Sequence, residues 1–175
     1  MTDPVAIADA YLATWNETDP TRRAALLRER WTEGARYADP LAKSDGRAAI
    51  DAMIDPKSVA TRYLDAWNEA DADRRARLLR EHWVDDARYV DPLMRGDGLQ
   101  QIDALIAAVH ARFPGFRFAL ANGADGHGDH VRFSWSLGPA GAEPPIKGSD
   151  VVVLADGRID RVIGFLDQVP AGAVA

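Results

Sequence analysis

Three oxygen-bearing side chains stand in settings that suit acid–base chemistry at carbon. Asp150 lies between Ile146, Gly148, Val152 and Leu154 on one face of a strand-like segment, and an apolar setting disfavours a charged carboxyl and raises its pKa. A carboxylic acid kept neutral in this way donates a hydrogen bond. Tyr63 shares a helical stripe with Val59 and Trp67, so its hydroxyl is carried inward and needs a buried partner, either a ligand oxygen or Asp150. Asp91 follows Ala87 and Tyr89 on one face by the period-two rule. A base at that point needs only a modest pKa shift to take a proton from an acidified carbon.

Each residue also has a plainer reading. Asp91 precedes Pro92, and Asx-Pro is common turn chemistry. Tyr63 on an amphipathic helix fits the core equally well. Asp150 can be satisfied by backbone amides or by Arg132. His127 and His130 flank Gly128-Asp129 in a hairpin-like loop and read as solvated, and His110 sits on the flank of its helix. There is no His-Glu-x-x-His spacing and no glycine-rich phosphate loop after a strand, so neither a metal nor a cofactor is expected.

The elements that must position these groups follow from periodicity. Asp55-Pro56 reads as an N-cap and first helical residue, and Val59, Tyr63, Trp67 and Ala70 place a helix from Pro56 to about Glu69. Asp73 is expected to cap a second helix, Arg74 to Trp83, which Val84-Asp85-Asp86 breaks. A short strand carries Ala87, Tyr89 and Asp91, and Gly96-Asp97-Gly98 makes a turn into a third helix ending at Phe113. The period then changes to two. Four strands are expected, Phe116 to Leu120, Val131 to Leu137, Ile146 to Leu154 and Arg158 to Leu166, with a glycine-rich turn over Asn122 to Gly128 and a tight turn at Asp156-Gly157. Helices followed by an antiparallel meander give an α+β layout: a cone-shaped barrel of three helices on a curved, mainly antiparallel sheet that encloses a pocket. Trp67, Tyr89, Phe118, Trp135 and Val152 are expected to line it.

Residues 55–106 repeat residues 3–54 without a gap, and about half the pairs are identical. The expected organisation is a partial duplicate over 1–54, helix-helix-strand-short helix without its own sheet, and a complete domain over 55–175. Tyr11 and Asp39 take the places of Tyr63 and Asp91, but nothing in copy one takes the place of Asp150. Its apolar residues, Tyr11, Trp15, Trp31 and Tyr37 among them, must either cover their own domain or compete with copy two for one sheet, in this chain or in a partner.

Acidic and basic residues are mixed throughout a chain of net charge −6, which leaves no basic face for nucleic acid. Without cysteine, disulfides and a thiol nucleophile are excluded. The N-terminus carries acid where a secretory signal needs a basic patch, and no stretch reaches membrane-spanning length, so a cytoplasmic location is expected.

The run Trp83-Val84-Asp85-Asp86-Ala87-Arg88-Tyr89-Val90-Asp91-Pro92, Gly98 with Ile102 after it, and Gly148-Ser149-Asp150-Val151 followed by Asp156-Gly157-Arg158-Ile159 resemble the nuclear-transport-factor-2-like superfamily. Within it they are similar to the ketosteroid isomerase and polyketide cyclase (SnoaL-like) branch. The resemblance implies Asp91 as general base, Tyr63 as oxyanion donor and Asp150 as the neutral acid, the last a known feature of ketosteroid isomerases. It implies cofactor-free proton transfer or aldol-type cyclisation on a small apolar carbonyl compound. It also implies a homodimer formed through the outer sheet face, with segment exchange through residues 1–54 left open. A non-catalytic ligand-binding or dimerisation module stays open, as does epoxide hydrolysis by an Asp91–Arg132–Asp150 arrangement.

Overall fold

The computed structural model describes residues 4–38 and 43–170. Asp39 lies outside them. Asp55 accepts from the Lys57 amide and Pro56 follows it, so α4 runs Pro56–Asn68 with Tyr63 and Trp67 on its buried side. The next helix, α5, is Ala72–His82, one turn's edge earlier than expected: Asp71, not Asp73, accepts from the Arg74 amide at 2.8 Å. Trp83 leaves the helix for the sheet. Strand β3, Trp83–Val90, includes Val84-Asp85-Asp86, which continue the chain instead of breaking it; a register shift between Trp83 and Arg88 absorbs the two acids.

The Gly96 turn is itself strand, β4 (Arg95–Asp97), paired antiparallel with β3. Helix α6 follows, Leu99–Arg112. The meander is then β5 (Phe116–Leu120), β7 (His130–Pro139), β8 (Ile146–Ala155) and β9 (Arg158–Gln168), with a short β6 (Asp125–His127) inside the glycine-rich turn. Strand order is β4-β3-β9-β8-β7-β5, antiparallel except where β3 joins β9, and β6 pairs with β7. The result is the expected α+β fold, with α4, α5 and α6 around a curved sheet. Its core is aromatic: Tyr63 lies 5.2 Å from Phe133 and stacks on Trp83 at 5.8 Å, while Phe118 meets both Trp67 and Trp135 edge-on. Among the described residues no helix is long and apolar enough to cross a membrane.

Residues 4–54 hold α1 (Pro4–Asn16), α2 (Pro20–Arg30), β1 (Arg36–Ala38), β2 (Lys43–Asp45) and α3 (Arg47–Ile54). Their starts fall 52 residues before those of α4, α5, β4 and α6, apart from β1, which matches the end of β3. The ion pairs follow the same offset, since Arg23 reaches Asp51 at 2.7 Å and Arg75 reaches Asp103 at 2.7 Å. This segment was expected to lack a sheet, yet β1 and β2 form a two-stranded ribbon of their own. On the main sheet it is α4, α5 and α6 that pack against the strands. Among the described residues, the segment meets the rest where α3 packs against α4 and where Arg23 reaches Asp55 at 3.0 Å.

Candidate active site

A cavity of about 410 Å³ opens between α4, α6 and the inner sheet face, lined by Tyr63, Trp67, Tyr89, Asp91, Phe118 and Trp135 together with Arg112 and Phe113 at the end of α6 and aliphatic side chains from α6, β7, β8 and β9. Four of the five expected lining residues are there. Val152 is not. It is fully buried between Val131 and Val162 on neighbouring strands, two residues farther along β8 than Asp150, in the closed part of the core.

Asp91 closes β3 and does two jobs. Its Oδ1 accepts from the Leu93 and Met94 amides, both at 2.7 Å, which is the turn chemistry that Pro92 suggested. Its Oδ2 accepts from the Tyr89 hydroxyl at 2.8 Å, and three donors therefore fix the plane of a carboxylate that borders the cavity. Sequence reasoning placed Tyr89 in the lining but missed this bond. The i, i+2 spacing on one strand face was the available signal.

Asp150 faces inward from the middle of β8, 1% exposed, and stands behind the lining rather than in it. Burial pushes its carboxyl up to about 6, against the opposing pull of the Tyr63 hydroxyl and Trp135 indole, while the nearby charges of Asp91 and Asp167 raise it further. Neither donor closes to full hydrogen-bond geometry, and both Asp150 oxygens are buried without a formed bond. Such a carboxyl is best satisfied when it carries its own proton. Arg132 does not help: it pairs across from Val151, so its side chain leaves on the outer face and meets Asp125 at 3.2 Å. The Asp91–Arg132–Asp150 grouping is therefore not assembled.

Tyr63 and Tyr89 are both held well above the ordinary phenol range, chiefly by burial and then by the charge of Asp150. They stay hydroxyls, able to donate. The space that lets these groups meet is a missing side chain. Gly164 on β9 pairs across from Asp150, and a Cβ there would lie 3.0 Å from Asp150 Oδ1, 3.0 Å from Asp91 Cβ and 3.5 Å from the Tyr89 oxygen. Outside this cluster, His110 Nε2 lies 2.9 Å from the Trp67 carbonyl, tying α6 to the end of α4, and His127 stacks on His130 in the exposed β6–β7 loop.

Two predictions arise here. Asp150 has a folded pKa near 6 against an ordinary 3.8, so its contribution to stability is complete below pH 3.8 and is lost as pH rises through about 6. The loss is roughly 2–3 kcal/mol. Asp150→Asn should remove that slope, so urea unfolding at pH 4.5 and 7.5 should show wild type losing more stability relative to the variant at the higher pH. Parallel pH profiles would contradict a buried, raised carboxyl. Gly164→Ala should fold with a cost of about 1–2 kcal/mol but displace Asp91 and Asp150 by tenths of an ångström. Any catalysed proton exchange should then fall by about ten-fold or more; an unchanged rate would show that the spacing around Gly164 is irrelevant.

Residues 60–162 match the SnoaL-like domain family. A candidate isomerase of the SnoaL-like family from Agrobacterium tumefaciens is 50% identical, with a TM-score of 0.62 over 64% of this chain and 97% of that one. A candidate polyketide cyclase from Sinorhizobium meliloti shares the fold at 21% identity and a TM-score of 0.50, covering 61% and 92% of the two chains. A candidate ketosteroid isomerase from Kribbella flavida does so at 19% and 0.50, covering 65% and 78%. No curated protein matches. The family match over residues 60–162 takes in more than half of the chain, and the 50% identical relative is spanned almost end to end, so the chain belongs to the SnoaL-like family.

Proposed function

We propose that the chain moves a proton next to a carbonyl in a small, largely apolar molecule, without a cofactor, as an isomerase or an aldol-type cyclase would. The observation that carries this is the convergence of Asp91, Tyr89 and Asp150 around Gly164, with Tyr63 beside them, at one end of a mostly apolar cavity whose lining also includes Arg112. Asp91 takes the proton from the carbon next to the carbonyl, and the C–H electron pair moves into the enolate. Tyr63 donates to the enolate oxygen, and Asp150 behind it, in the protonated form it holds below about pH 6, supports that donor. The proton then returns from Asp91 to the same carbon or to its vinylogous neighbour, or, if the enolate attacks an internal carbonyl and forms a C–C bond, it goes to the alkoxide oxygen that the attack creates. Tyr89 keeps Asp91 in plane throughout.

The relative from Agrobacterium tumefaciens, described as a candidate isomerase, supports this reading. So does the open cavity beside a buried acid, since a dimerisation module whose hollow is filled by its own side chains would leave no such void. The test uses 2-tetralone, an apolar bicyclic ketone with acidic α-protons. In deuterium oxide the protein should exchange those protons at least 100-fold faster than an equal concentration of acetate at the same pH, followed by NMR. Exchange no faster than acetate would overturn the proposal.

A further inference from the structure

Helix α1 repeats the apolar residues of α4, but among the described residues its own segment offers only the two-stranded β1–β2 ribbon, where Tyr37 meets Trp15 at 4.9 Å. Ile7, Tyr11 and Leu12 are 57, 39 and 52% exposed, whereas their counterparts Val59, Tyr63 and Leu64 are 0, 2 and 6% exposed. Two of the ring contacts that α4 makes already have counterparts: Tyr11 lies 5.8 Å from Trp15 and 5.9 Å from Trp31, as Tyr63 lies 5.9 Å from Trp67 and 5.8 Å from Trp83. At 100° per residue, Ile7, Tyr11, Trp15, Ala8, Leu12 and Val5 form an unbroken apolar arc of about 160°. Beside it a groove of about 480 Å³ runs between Ile7, Tyr11, Trp31 and Arg30. The exposed side chains amount to on the order of 400 Å², as large as the largest patch of an ordinary monomer and typical of an interaction site.

From this we infer that the arc on α1 and the adjoining groove dock against the same surface of a second copy of this chain. Stoichiometry names the occupant. Each chain has two helix-helix-strand units but only one large sheet, so whichever unit takes the sheet leaves the other bare. A second copy brings no spare sheet; it brings an identical bare unit. Charge agrees with that pairing. The only charged residue of α1 is Asp9, on one edge of the arc, while α2 on the other edge carries Arg22, Arg28 and Arg30 against Glu29. A two-fold axis along α1 sets the Asp9 edge of one copy against the arginine edge of the other. Two such patches with their rims approach the roughly 1,000 Å² that a specific interface requires.

The experiment is sedimentation equilibrium on the full chain. Wild type should dimerise, and Ile7→Glu with Leu12→Glu, both at exposed positions, should weaken the dimer at least 100-fold with an unchanged circular dichroism spectrum. Asp9→Arg and Arg30→Asp should each weaken it, and the two together should restore it. A wild type that stays monomeric at 200 µM overturns the inference. So does a dimer that tolerates the Ile7/Leu12 pair and is instead broken by Phe165→Glu on the outer sheet face. Because none of these residues borders the cavity, 2-tetralone exchange separates this outcome from that of the proposed reaction.

Discussion

Asp91→Asn is expected to slow exchange of the α-protons of 2-tetralone by about 10²–10⁴-fold while leaving its binding within about two-fold. Asparagine is isosteric, so its side-chain oxygen can keep the Leu93 and Met94 amides that Asp91 Oδ1 now accepts at 2.7 Å, and the turn after β3 survives. What is lost is the second oxygen, the one facing Tyr89, as an acceptor of a proton from carbon. An amide cannot take that proton. Binding should be spared because the cavity walls are mostly apolar and only a small part of the contact surface is altered. Binding followed by quenching of Trp67 and Trp135, which line the cavity, reads the two effects separately. If exchange persists at the wild-type rate with binding intact, Asp91 is a turn residue and nothing more. If both fall together, the residue acts through the shape of the site.

The sequence made α4 and the meander legible for physical reasons that did not extend to β3 and Gly164. A capping Asp55, a proline at the first helical position and a stripe at 3.6-residue spacing all agree over Pro56–Asn68, so local and tertiary preferences coincide. The face of β8 was equally readable, since strict alternation from Ile146 to Leu154 puts Asp150 inward wherever the strand pairs. Strand β3 was misread at its start because Asp85 and Asp86 interrupt alternation, and the parallel partner that holds Trp83, Ile159 on β9, lies more than seventy residues away. Capping at Asp71 rather than Asp73 is a choice between two equally suitable residues that only the packed helix makes. Gly164 was hidden for a different reason. Counting back from the tight turn at Asp156-Gly157 places Ile163 opposite Asp150, but a register shift between Val153 and Leu154 moves the pairing by one and brings Gly164 there. A single bulge thus decides whether a branched side chain or empty space faces the buried acid. Val152, expected in the lining on the same alternation, shows the converse limit: period two fixes a face but not the depth along it.

Gly148→Ala should be the most damaging small substitution in the domain, costing more than about 3 kcal/mol, beyond the ordinary range for one extra methyl group. Gly148 pairs directly across from Trp135, whose indole occupies the space a side chain at 148 would need. A Cβ built there would collide with Trp135 Cζ2, lie 2.8 Å from Trp135 Cε2 and 2.5 Å from the Phe165 carbonyl oxygen. The ring could swing away, but it forms a wall of the cavity, meets Phe118 edge-on at 5.2 Å and turns its N–H toward Asp150. The carbonyl belongs to the β9 backbone and cannot yield without opening the β8–β9 ladder. Trp135→Leu relieves only the first of these contacts. In a double-mutant cycle followed by urea unfolding, it should therefore recover part of the loss and leave the share owed to the Phe165 carbonyl. Full recovery would mean the ring alone sets the requirement for glycine. A cost for Gly148→Ala below about 1 kcal/mol would mean that β8 has room to shift against Trp135 and β9, and that Asp150, two residues along the same strand, is held less tightly than its pairing with Gly164 implies.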